Sequence, residues 1–224
     1  MDERGVLAGA HPGSLYVDMS TVSPAASARV AAACDAAGVG YLRAPVTGSV
    51  ALAQAGTIGI LASGPRDRYE QALETFRLLG QQCFYLGPGE EARVMKLALN
   101  MVIGVTMASL AEALVLGDKA GLDWDQMLDV FCNSAITSPF VKYKAGPLAR
   151  RDFTPAMTTR LLSKDFDLAL GAARELEVAA PIAGLIQQLL QATTGHGWGE
   201  RDFSALLLLA ERAAGLEPTE EDGQ

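Results

Sequence analysis

From Glu90 to Lys119 the chain runs without a proline, and apolar residues dominate it. A run of that length and pattern has one economical solution, a single long helix. It also divides the sequence into two textures. Before it, short β-like runs alternate with helical patterns, the mark of an α/β unit. "SLYVDM", "GYLRAP", "GTIGILAS" and "CFYLG" read as strands, and "RDRYEQALETFRLLG" as a helix ending at Gly80. Ser23, Pro24 and Gly38 supply a cap, a first position and a terminator for another helix between the first two strands. After the long run the strand signals vanish. "GLDWDQMLDVFCNS" opens with a capping box, Asp123 with Gln126. "SPFVKYKAGPLARRDFTP" reads as a short helix and a loop, and three further helical patterns follow, the last capped by Asp202. The fold class expected is α/β plus all-α: a partial Rossmann-type sheet over residues 1–89 and a helical domain over residues 90–216. Residues 217–224 form a polar, acidic tail expected to be disordered.

Composition narrows the function. With a formal net charge of −8 there is no basic stripe to neutralise phosphates, so nucleic acid is not an expected partner. Three cysteines, far apart and odd in number, make neither a disulfide framework nor a zinc spacing. His11 and His196 sit alone, so no metal is expected. The start "DERGVLAGAHPG" has no apolar core of a secretory signal, and the expected location is the cytoplasm. Leu97 to Gly117 is long enough to cross a bilayer, but Asn100 and Glu112 within it point to a buried helix instead of a membrane span.

Four stretches carry chemistry. "DMST", Asp18 to Thr21, follows a strand and precedes a helix, so the Ser20 and Thr21 hydroxyls sit where α/β folds bind ligands. The plainer reading is that they end the strand and cap the helix. "APVTGSVALAQAGT" leaves a strand as a long loop of polar and small residues, in which Thr47, Gly48 and Ser49 offer hydroxyls and unhindered N–H groups to an anion. The same glycines also serve ordinary turns. Lys96 and Asn100 are four apart and share one helical face, about 40° around and one turn along. Lys96 is either a general acid/base, if desolvation lowers its pKa toward neutrality, or a lysine whose stem packs near a helix N-terminus while its charge stays in water. Lys164 and Asp165 have a surface ion pair as their bland explanation.

In this order, the four stretches resemble the 3-hydroxyisobutyrate dehydrogenase family, also called β-hydroxyacid dehydrogenases, which is related to 6-phosphogluconate dehydrogenase. The resemblance runs from about Gly5 to Gly215. It implies a Rossmann domain and a helical domain joined by the long helix, with NAD or NADP as cofactor. It implies Thr21, with Ser20 beside it, at the nicotinamide; Thr47, Gly48 and Ser49 at the substrate; Lys96 as catalytic acid/base; Asn100 as a substrate contact; and Lys164 brought over the cofactor. Substrates would be small hydroxyacids or semialdehydes, of the 3-hydroxyisobutyrate or 2-hydroxy-3-oxopropionate kind. Imine-reducing relatives usually lack the lysine, so Lys96 favours hydroxyacid chemistry.

Three departures stand out. "TGS" replaces the family's "SGG", and Ala92 replaces a glycine four residues before the lysine. The family's opening strand and G-x-G-x-x-G turn, which hold the cofactor pyrophosphate, have no counterpart in the sequence. Met1 falls where the family is past the middle of its sheet, so an exposed apolar edge is expected. The alternative function is a non-catalytic helical dimerisation module that keeps the motifs of an enzyme. In either case a homodimer or larger homo-oligomer is the expected assembly.

Overall fold

The chain is described here by a computed structural model covering residues 5–217. It divides into two compact units, Met1–Leu99 with Gly171–Val178, and Asn100–Leu170 with Ala179–Gln224. The division falls inside the long helix, about ten residues beyond the change of texture at Gly89. The acidic tail lies outside the described residues, apart from Glu217.

The first unit is α/β. A short helix α1 (Val6–Gly9) precedes β1 (Leu15–Asp18), α2 (Pro24–Ala36) and β2 (Gly40–Arg43). Then follow β3 (Val46–Thr47), α3 (Val50–Gln54), β4 (Ile58–Ala62), α4 (Arg66–Leu79) and β5 (Gly80–Tyr85). The cap at α2 forms as the sequence predicts: Ser23 Oγ accepts from Ala26 N at 3.1 Å, and Pro24 fills the first position. The α2 and α4 crossovers make β1–β2 and β4–β5 parallel. β3 and β4 are antiparallel, because the segment between Thr47 and Ile58 is too short for a parallel crossover. Arg43 and Ser63 exchange backbone bonds of 3.0 Å, so the strand that begins as β2 continues along β4. Tyr69, Ala72 and Phe76, at helical spacing on α4, pack with Leu42, Ile58, Ile60 and Ala62 as the main core of this unit. No strand pairs with the second edge of β1 among the described residues, and Leu15, Tyr16 and Val17 are half-buried there.

The loop expected over "APVTGSVALAQAGT" is more ordered than its composition implies. Val46 and Thr47 pair with Ile60 and Gly59, and Val50–Gln54 coils into α3 under a Ser49 cap. A two-residue strand and a five-residue helix are too short for periodicity to reveal.

The long helix α5 (Glu91–Lys119) passes through both units. By length and composition it is apolar enough to cross a bilayer. Its residues Met107, Ala108, Leu110, Ala111, Leu114 and Val115 belong to the core of the second unit. That unit adds α6 (Trp124–Asn133), α7 (Pro139–Ala149), α8 (Thr159–Glu175, whose last turn falls in the first unit), α9 (Pro181–Thr193) and α10 (Leu206–Ala213). Asp123 and Ser138 cap α6 and α7, accepting from Gln126 N at 2.9 Å and Val141 N at 3.2 Å. Asp202 accepts from Ser204 N at 3.0 Å ahead of α10, and it also accepts from the buried Lys144 ammonium at 2.6 Å.

Candidate active site

β1 ends on Asp18, which is buried, and its Oδ1 accepts from Ser20 N at 2.9 Å. This Asx turn swings the chain off the sheet and sets Ser20 and Thr21 at the carboxyl end of the strand. Ser20 is exposed and Thr21 half-buried. Two turns' worth of chemistry then converge on the start of α5. Arg93, only 1% exposed, donates from Nε to Ser27 Oγ (3.2 Å) and from Nη2 to Tyr41 Oη (3.0 Å). Its Nη2 lies 2.6 Å from Asp18 Oδ2, and its Nη1 donates to the Ser20 carbonyl. Tyr41 Oη donates to the same Asp18 oxygen at 2.7 Å. Burial works to raise the Asp18 pKa, but the bonds from Ser20 and Tyr41 and the Arg93 charge outweigh it and hold the carboxyl below its ordinary value. A buried guanidinium survives only with such partners; removing one partner of a buried pair costs about 3–5 kcal/mol.

Lys96 follows Arg93 on α5 by three residues and is half-buried. Thr47 stands opposite Gly59, where a Cβ would lie 2.8 Å from the Thr47 methyl. The glycine therefore makes room for that methyl. Gly48, with φ +135°, is open to solvent in a backbone conformation that side-chain-bearing residues rarely adopt. Ser49 Oγ accepts from Leu52 N at 3.4 Å, so its oxygen serves the α3 cap and its hydroxyl proton is the group left to offer a ligand.

Asn100 and Lys164 belong to the second unit. Asn100 is 2% exposed and donates from Nδ2 to Asp165 Oδ2 at 2.6 Å. Asp165, equally buried, therefore fixes which end of the amide faces α8. Lys164 is exposed; its Nζ lies 2.8 Å from Asp165 Oδ1, close enough for an ion pair but outside hydrogen-bond alignment. The surface ion pair of the sequence is thus half a surface pair, since its carboxylate faces inward. Arg93 and Tyr41 escape sequence reasoning, and Asp18 and Asp165 are visible there only as parts of motifs, without the inward partners they take. For Arg93 and Asp165 the local signal is a charge placed where the helical pattern asks for an apolar residue.

A family profile described as "NAD-binding of NADP-dependent 3-hydroxyisobutyrate dehydrogenase" matches residues 91–210. Another, the NAD binding domain of 6-phosphogluconate dehydrogenase, matches residues 1–87. The chain belongs to the 3-hydroxyisobutyrate dehydrogenase family. It is 35% identical to glyoxylate/succinic semialdehyde reductase 1 of Arabidopsis thaliana over 92% of its own length and 71% of the relative's. Against the chloroplastic reductase 2 of the same plant the identity is 33%, over 92% of this chain and 57% of that one. The chain thus spans between about half and three quarters of these two relatives. A solved 3-hydroxyisobutyrate dehydrogenase from Salmonella typhimurium superposes with a TM-score of 0.86 at 26% identity, covering 92% of this chain and 72% of that one.

The family uses NAD(P). The Ser20–Thr21 turn lies at the carboxyl end of β1, where α/β folds bind ligands, and offers two hydroxyls to such a group. The N-terminus of α2 is taken by the Ser23 cap and by Pro24, which has no N–H, so that helix end is not a pyrophosphate cradle.

Proposed function

We propose that this chain carries the substrate-binding and proton-handling residues of an NAD- or NADP-dependent oxidoreductase acting on small hydroxyacids and their semialdehydes. The observation that carries the reading is on α5. One helix presents Lys96 and Asn100 on one face, the first following a buried arginine joint and the second fixed by Asp165. The cofactor, when bound, supplies or accepts the hydride. Lys96 takes the proton of the substrate hydroxyl in oxidation and returns it in reduction. Asn100 orients that hydroxyl. The Thr47 hydroxyl and the backbone at Gly48 receive the substrate carboxylate, and Ser20, Thr21 and Lys164 contact the cofactor. The two plant reductases, whose names specify glyoxylate and succinic semialdehyde, support a short carboxylate-bearing substrate. Three free cysteines suit a reducing cytoplasm.

The test is oxidation of a panel of short hydroxyacids with NAD+ and NADP+, and reduction of glyoxylate and succinic semialdehyde with NADH and NADPH. Lys96→Ala should lower turnover by roughly 10²- to 10⁴-fold. Unchanged turnover in that variant would remove the lysine from the mechanism, and no turnover with any pair in the parent chain would remove catalysis by this chain alone.

One observation favours a second role. An apolar groove of about 440 Å³, lined by Ala108, Val115, Leu116, Leu206 and Leu209 among others, opens on the second unit, with Leu116 73% exposed. A homodimer through this face accords with it. Light scattering on the parent and Leu116→Glu checks it: a dimer that becomes monomeric supports the interface, and a monomeric parent dismisses it.

A further inference from the structure

The geometry points to Arg93 as the positioning residue that sets Lys96 against the Ser20–Thr21 turn. The inference rests on the catalytic reading of Lys96 but adds a residue which that reading does not need. Arg93 is a fully buried cation of the first unit, and its partners come from separate elements: Asp18 on β1, the turn carbonyl of Ser20, Ser27 on α2 and Tyr41 on β2. A guanidinium is planar, so bonds in several directions fix both its place and its tilt. The side chain that carries them is rooted in the first turn of α5.

Two consequences follow from helix geometry. Lys96 lies three residues beyond Arg93, about 60° around and about 4.5 Å along, so any roll or slide of the first turn moves the lysine with it. The Ser20 carbonyl is also held by Arg93, so the same side chain pins the backbone that carries Thr21. The spacing of Thr21 from Lys96 is therefore governed by one guanidinium. Asp18 serves both sides, since its Oδ1 shapes the turn and its Oδ2 receives Arg93 and Tyr41. A general acid/base displaced by about 1 Å loses on the order of 100-fold in rate, so such a joint has a kinetic signature apart from its contribution to stability.

The experiment compares the parent with Arg93→Met and Arg93→Lys in turnover, and in acetylation of Lys96 relative to the exposed Lys142, read by peptide mass spectrometry. Arg93→Met should lower kcat by roughly 10- to 100-fold, with substrate KM changed far less, and should alter the relative acetylation of Lys96. Arg93→Lys, which keeps the charge but offers a single ammonium, should recover part of both. If Arg93→Met does not fold, Arg93→Lys and Ser27→Ala carry the same comparison. Folded variants with parental kcat and parental Lys96 acetylation overturn the proposal. A parent without turnover ends catalysis by this chain alone instead, and acetylation then decides alone: a change at Lys96 keeps Arg93 as its positioning residue, and no change overturns it.

Discussion

Gly104→Ala isolates the contact between α5 and α8 in the second unit. Gly104 is a helical glycine, and replacing such a residue by alanine stabilises an open helix by about 1 kcal/mol. Here the added Cβ would sit 2.6 Å from both Cε2 and Cζ of Phe166, a ring with no solvent exposure, and 3.5 Å from Ile186 Cγ2. Carbon atoms pack at about 3.5–4.0 Å, so the ring must retreat by roughly 1 Å within a filled core. Overpacking of this kind costs about 1–3 kcal/mol, which exceeds the helix gain at its centre and leaves a net loss near 1 kcal/mol. At roughly 2–4 °C per kcal/mol for a chain of this size, the thermal midpoint should fall by about that amount. Gly184, inside α9 with nothing within 4 Å of its added Cβ, supplies the opposite case: Gly184→Ala should raise the midpoint by a similar amount. Scanning calorimetry on both variants makes the comparison, and Phe166→Leu added to Gly104→Ala should return part of the loss. Equal stabilisation by the two alanines would refute the reasoning, because the Phe166 ring would then not be seated against Gly104. The same displacement should loosen the bond between Asn100 and Asp165, the residue before Phe166, and so lower turnover as well.

Lys144→Met removes the cation from a pair in which both partners are about 2% exposed, leaving Asp202 buried with its bonds from Ser204 and Ala156. A loss of about 3–5 kcal/mol in urea unfolding is expected, and a loss under 1 kcal/mol would mean water reaches the site. Asp18→Asn should weaken the first unit in a pH-dependent way. The folded pKa of Asp18 is lowered, so its stabilisation is fully present above the unfolded value and is lost as pH falls through the folded one. The stability gap between parent and variant should be widest at neutral pH and close progressively below about pH 4; a gap constant with pH would show that charge is not the cause. Ser49→Ala removes the α3 cap, and a loss of about 0.5–2 kcal/mol with substrate KM unchanged would assign Ser49 to the helix alone.

Much of the architecture is legible in local signals. Ser23, Asp123 and Ser138 cap the helices they precede because a hydroxyl or carboxylate reaches an N–H within the next turn, an event confined to four residues. The apolar rows of α4 and α8 are read directly from spacing. The motif residues Thr21, Thr47, Lys96, Asn100 and Lys164 are visible as a series in sequence order, the first two within residues 1–87 and the other three within residues 91–210, the spans that the two family profiles match. What surrounds them is not visible. Lys164 next to Asp165 reads as a pair of neighbours, and only the packing of α8 on α5 turns the carboxylate inward to Asn100, 65 residues away.

The sequence by itself determined the two textures, the long helix between them and the identity of the candidate reacting groups, because helix caps, periodicity and turn chemistry act over a few residues. Tertiary structure decided which charges meet. Arg93 finds Ser27 and Ser20 across 66 and 73 residues, Asn100 finds Asp165, and Lys144 finds Asp202 across 58. A buried charge is tolerable only where partners from other elements surround it, and that condition is met by position in space, for which a sequence has no local sign.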